Sequence, residues 1–140
     1  MMFKKILLGV DGSDHALRAA KVAGDLARII NADLIVVTAF DPIPTYLGEP
    51  NLQEAISARL HEANQVLENG IKAVGEIKGE LTSEALEGSA AEVILEVARL
   101  REVDLIVVGS RGLGKLSGLL LGSQSQKIIQ HAICPVLVVR

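Results

Sequence analysis

The chain has 140 residues, enough for one domain with a buried core and too few for two ordinary ones. A net charge of −3 and only three aromatic side chains, Phe3, Phe40 and Tyr46, supply neither the basic field nor the stacking platform that nucleic-acid binding uses. No apolar stretch approaches the roughly 18–20 residues that cross a bilayer, so a membrane span is not expected.

The opening Met-Met-Phe-Lys-Lys-Ile-Leu-Leu-Gly9 has too short an apolar run for a signal peptide and no small-residue cleavage site behind it. Residues 4–10 read instead as a first strand. Ser13 then stands where it can cap a helix whose Ala16, Leu17, Ala20, Ala23, Ala27 and Ile30 recur at three-and-four spacing. Asn31 can end that helix in a left-handed turn. Residues 33–39 form a second apolar strand, and the proline-rich loop 41–50 follows it. A long helix over 51–74 carries Ile56, Leu60, Ala63, Leu67 and Ile71 on one face. Its other face holds Glu54, Arg59, Glu62 and Glu68 and is solvated.

The third strand, 81–87, alternates polar and apolar residues, as an edge strand does. Ser89-x-x-Glu92 is a capping box for a third helix that buries Val93, Ile94, Val97 and Ala98. Residues 104–109 make a fourth strand. Ser123-x-x-Gln126 predicts a second capping box and a fourth helix ending near His131, before a last strand from Pro135 to Val139.

Strands alternating with helices predict an α/β fold of three layers around a parallel sheet, one domain over residues 1–140, with right-handed crossovers. In the doubly wound order 3-2-1-4-5 the first and fourth strands are neighbours at the switch point. The loops after Val10 and Val108 then face one another across a crevice. The last strand becomes an exposed apolar edge, for which edge-to-edge pairing of two copies is the economical cover. The apolar stretch 116–121 either covers the crevice or adds to that contact.

The crevice gathers the residues that carry chemistry. Gly109, Gly112, Gly122 and Ser123 form G-x2-G-x9-G-S, opening off an apolar strand and ending on a helix start. Glycines there let backbone N–H groups converge on phosphate without side chains in the way. The alternative is a strand end, a turn through Gly112 and Gly114, and a helix cap. Ser123 can cap its own helix or leave the helix N–H groups free for a phosphate oxygen, with Ser125 as a second hydroxyl. Arg111 and Lys115 either neutralise outer phosphates or are solvated loop charges.

Gly109 to Lys115 also reads G-x4-G-K, but Leu116 stands where a P-loop needs Ser or Thr, which argues against a P-loop ATPase. The dinucleotide fingerprint is absent after the first strand, and NAD drops out. Asp11 either accepts a ribose hydroxyl or holds a phosphate-bound Mg²⁺, or turns back on the N–H groups of Gly12 and Ser13; the neighbouring glycines favour ligand contact. His15, His61 and His131 share no metal spacing and read as structural or solvated. Cys134 is the single cysteine and cannot form an internal disulfide, which points to a reducing cytoplasm. No catalytic triad or carboxylate pair can be argued.

From end to end the chain resembles the universal stress protein family. The resemblance rests on Lys-Lys-Ile-Leu-Leu-Gly-Val-Asp-Gly-Ser13, Glu87-Gly-Ser-Ala-Ala-Glu92, the glycine loop and Cys-Pro-Val-Leu-Val-Val139. The glycine signature is that of the family's ATP-binding branch. The resemblance implies a Rossmann-like fold of the adenine nucleotide alpha hydrolase-like type and a homodimer through the last strand, with a tetramer left open. It also implies ATP, ADP or AMP in the crevice, with Mg²⁺ on the phosphates. By position, Gly9, Val10 and Asp11 would approach ribose or phosphates, and Ala39 would offer backbone groups to the adenine edge. Val108, Gly109 and Gly112 would meet ribose and phosphate, with Arg111, Gly114 and Lys115 in the loop. Gly122, Ser123, Gln124 and Ser125 would cradle the phosphates. The resemblance identifies no efficient catalytic base, and so implies a nucleotide-responsive stress regulator with at most slow ATP hydrolysis.

Overall fold

The computed structural model describes residues 3–111 and 121–140. Gly112, Gly114 and Lys115 therefore lie outside the described residues, as does most of the 116–121 stretch. Strands and helices alternate in the order β1 (Lys5–Gly9), α1 (Asp14–Ile30), β2 (Asp33–Phe40), α2 (Asn51–Val74), β3 (Leu81–Glu87), α3 (Ala90–Leu100), β4 (Leu105–Gly109), α4 (Ser123–His131) and β5 (Val136–Val139). A short 3₁₀ turn, Thr45–Leu47, interrupts the loop before α2.

The sheet runs β3-β2-β1-β4-β5 with every neighbouring pair parallel, as the alternation predicts. Because side chains alternate along a strand, Ile6 and Leu8 of β1 face one layer and Leu7 the other. The first layer is closed by the alanine face of α1 and by Leu67 and Val74 of α2. The second is closed by Val93, Ile94 and Val97 of α3 and Ile128 of α4. Burial along α2 concentrates in its second half, at Ala63, Leu67, Gly70 and Val74, while Leu60 from the expected face is 41% exposed. Small residues let helices close in: a Cβ at Gly24 of α1 would lie 2.2 Å from the Val74 carbonyl oxygen that ends α2.

Ser13 caps α1 as read, and at Ser89 the cap forms without the return bond from the Glu92 side chain that a full capping box would add. The Ser13 hydroxyl accepts the Ala16 N–H at 3.1 Å, and Ser89 accepts the Glu92 N–H at 3.3 Å. Asn31 ends α1 with φ 55°, in the left-handed region. The expected capping box at Ser123 is not formed. Gly122 is the cap of α4, with no side-chain bond, and its carbonyl accepts the Gln126 N–H at 3.0 Å. A tertiary bond sets this boundary: the Gly122 N–H donates to the Ser110 carbonyl at 2.9 Å, so the helix begins one residue early.

Strand ends move by one residue for similar reasons. Asp104 does not open β4, because its carboxylate accepts the N–H groups of Lys4 and Lys5 at 2.9 and 3.1 Å. β5 begins at Val136, after Pro135, whose carbonyl still accepts the Ile106 N–H at 3.0 Å. No described helix is long and apolar enough to cross a membrane.

Candidate nucleotide site at the strand ends

β1 leaves the sheet early, and its departure opens the site. The Val10 N–H donates to the Val37 carbonyl at 2.9 Å, after which the chain turns away at Asp11. In a parallel strand every second residue directs its N–H and C=O to the same neighbour. Val37 faces β1, so Ala39 does too, while the intervening ladder is completed on the β3 side by the Gly88 N–H on the Phe40 carbonyl at 2.9 Å. The backbone of Ala39 therefore points into the gap that β1 has vacated.

A cavity of about 320 Å³ fills this gap, within the about 300–1,000 Å³ usual for small-molecule sites. It is lined by Gly9, Val10 and Asp11 from the end of β1, Ala39 from β2, and Val108, Gly109 and Arg111 from β4 and its exit. Gly122, Ser123, Gln124 and Ser125 line it from the start of α4. All the expected site residues that are described thus meet in one place. The lining also includes Val37, Ile94 and Ile128 as an apolar base, with Ala16 and Ala90 beside them. In the sequence Ala16, Val37 and Ile94 read only as helix face, apolar strand and core, and Ala90 and Ile128 carry no core reading. All of them face a cavity because Ala39, Ala90 and the glycines around them are too small to fill the space.

The polar end of the cavity is the amino end of α4. The N–H groups of Ser123, Gln124 and Ser125 precede the helix's first internal bond, from Gln126, and have no acceptor within it. With the positive end of the helix dipole they form an anion-favouring surface. Two of the three side chains are engaged away from the expected phosphate cradle. Ser125 is buried and its hydroxyl donates to the Gly109 carbonyl at 2.9 Å, tying α4 to β4. The Gln124 side-chain oxygen accepts the Ala91 N–H at 2.8 Å, joining the start of α4 to the first turn of α3. Only Ser123 is exposed. The phosphate-binding potential of this segment therefore lies in its main chain.

Asp11 shows the local bond weighed against ligand contact: its carboxylate accepts the Ser13 N–H at 2.9 Å and so braces the start of α1. It also lines the cavity, so a second oxygen remains to meet a hydroxyl or a metal-bound phosphate. Gly109 has a reason beyond phosphate access. A Cβ there would lie 2.9 Å from the His15 carbonyl carbon and 3.0 Å from the Ala16 nitrogen, so α1 itself demands glycine. His15 is a structural residue, as expected, with Nδ1 at 2.8 Å from the buried Ser110 hydroxyl. Cys134, half-buried beside β5, has its thiol pushed above the ordinary value by burial and then by the Asp104 carboxylate. It ionises late and lies outside the cavity lining.

Comparison with known proteins gives the same picture. The model of the Universal stress protein family matches residues 2–140. A universal stress protein of Thermus aquaticus is 49% identical over 139 residues, spanning 99% of this chain and 100% of the relative. The solved universal stress protein UspA of Lactobacillus plantarum is similar at TM-score 0.86 and 28% identity, with 100% of this chain and 99% of that one covered. A solved universal stress protein in complex with cAMP matches at TM-score 0.71 and 30% identity, covering 100% of this chain and 99% of that one.

Proposed function

The chain belongs to the universal stress protein family, and from that premise we propose that its cavity binds an adenine nucleotide and that occupancy regulates a stress-response partner. The observation that carries this is the pairing, in one cavity, of an apolar base under the vacated Ala39 backbone with the amino end of α4. Val37, Ile94, Val108 and Ile128 suit a purine ring, and the Ala39 N–H and C=O suit its hydrogen-bonding edge. The main-chain N–H groups of Ser123, Gln124 and Ser125 suit phosphate. Gly112, Gly114, Lys115 and Arg111 belong to the segment that would complete the phosphate end. ATP, ADP and AMP share these groups, and Mg²⁺ would ride on the phosphates of the longer ones, within reach of Asp11. The cAMP complex of a relative supports an adenine nucleotide as the class of ligand.

In this reading the nucleotide is a signal and not a substrate, and hydrolysis is slow. The protein acts in the cytoplasm as a homodimer through β5, whose edge carries Val136 to Val139. The test is mass spectrometry of the small molecules released when the purified protein is denatured, with ATP turnover measured in parallel. An adenine nucleotide with negligible turnover is the expected result. Mg²⁺-dependent turnover well above background would make the protein an enzyme. No adenine nucleotide, and no binding at millimolar concentration, would leave an empty scaffold.

A further inference from the structure

We infer that the groove between β3 and α3 is a docking site for an amphipathic, Lys- or Arg-bearing helix of a partner protein. The groove follows from the topology. Two helices cover each face of a five-stranded sheet, and α2 covers β3 on one face only. On the other, α3 lies over β1 and β2, and β3 is left half-covered beside it. The result is a trough of about 590 Å³ with an apolar floor of Leu86, Val93, Val97 and Leu100. Leu100 is 62% exposed at its lower end, a large apolar side chain with nothing over it among the described residues.

The rim selects the occupant. It carries Glu84, Glu87, Glu92 and Glu96, with Arg101 as the one cation among the described lining residues. Arg101 is bonded to Glu84, and Arg99 pairs with Glu96 at 2.7 Å. Glu87 and Glu92, both exposed at the upper end, have no ion-pair partner among the described residues. Apolar floor and unbalanced carboxylates together match a helix with a leucine-type stripe and basic residues toward the Glu87 end. A second copy of this chain is disfavoured, because two-fold contact through this face would set the two acidic rims against each other. The length fits as well: α3 has 11 residues, about 16 Å at 1.5 Å per residue, and can carry roughly three turns of a partner helix. α3 also contributes Ala90 and Ile94 to the nucleotide cavity, so the two sites share one rigid element.

The experiment uses the full chain and a fluorescein-labelled 14-residue Leu/Lys amphipathic helix as probe, with a Leu/Glu helix of the same pattern as control, read by anisotropy. The Leu/Lys probe should bind, and the Leu/Glu helix should bind at least tenfold more weakly. Leu100→Asp and Glu87→Lys should each weaken the Leu/Lys probe at least tenfold while AMP affinity stays within twofold. Glu87 lies on β3 outside α3, so its substitution does not disturb the helix start; Leu100 is at the exposed end of α3. Equal binding by wild type and both variants, no binding at all, or a Leu/Glu helix that binds as tightly would overturn the inference. Loss of AMP binding in the wild type would instead sink the nucleotide reading and leave the groove assignment intact.

Discussion

Replacing Gly122 by Val separates the phosphate end of the proposed site from its adenine end. Gly122 caps α4 with φ −64° and ψ 156°, an extended conformation that valine adopts readily. The Gly122 N–H bond to the Ser110 carbonyl survives the substitution. Glycine is a moderate cap and valine a poor one, so the fold should lose about 1 kcal/mol. That corresponds to roughly 3–5 °C in Tm for a chain of this size. The ligand loses far more. An N-cap side chain lies toward the N–H groups of the second and third helical residues, so the valine methyl groups should screen those of Gln124 and Ser125. Hydrogen bonds to a charged group contribute about 1.5–3 kcal/mol each, so losing two of three costs at least about 3 kcal/mol. AMP and ATP affinity should therefore fall more than about 100-fold. Adenosine, which has no phosphate, should lose less than about threefold. Calorimetric titration of the three ligands against wild type and variant, with a thermal melt of each, makes the comparison. Unchanged AMP affinity in a folded variant, or an equal loss for adenosine, would refute the assignment of α4 to phosphate.

Other substitutions test the bonds that build the site. Ser125→Ala strands the Gly109 carbonyl that the buried hydroxyl now serves at 2.9 Å. It should cost about 1–2 kcal/mol in urea denaturation, and a neutral result would mean α4 is not anchored to β4 there. Gly24→Ala gains about 1 kcal/mol of helix propensity but drives a Cβ into the Val74 backbone carbonyl, which cannot turn aside. Overpacking of about 1–3 kcal/mol should win, and a higher Tm would show that α1 and α2 can separate freely. Cys134 ionises late because burial, then Asp104, disfavours its thiolate. Its alkylation by iodoacetamide at pH 8 should be slower than that of a free cysteine, becoming equal only in denaturant. The same shift means the folded state holds its proton longer than the unfolded one, so stability falls as pH rises above the ordinary thiol value.

How much of this was legible beforehand depends on how far each feature reaches along the chain. Buried parallel strands are apolar runs, and all were found within a residue of their ends. The polar alternation of 81–87 correctly marked β3 as an edge. Caps at Ser13 and Ser89 bond to N–H groups three residues on, and local spacing suffices for that. The start of α4 escaped because it is set by the Ser110 carbonyl, a partner 12 residues distant that spacing cannot reveal. The Gln124 bond to Ala91 of α3 is hidden for the same reason. Ile94 was legible as core and Ile128 was not singled out, but whether core meets another side chain or a cavity depends on the size of what stands opposite, here Ala39, Ala90 and glycine.

The central claim is that main-chain groups at the ends of β2 and β4, on either side of β1, and at the start of α4 receive an adenine nucleotide. It is tested most directly by following the backbone amide resonances of the ¹⁵N-labelled protein during titration with AMP. Saturable shifts are expected at Ala39, Gly109, Ser123, Gln124 and Ser125, with Glu87 and Leu100 unmoved. Shifts confined to the β3–α3 groove, or none at millimolar AMP, would contradict it.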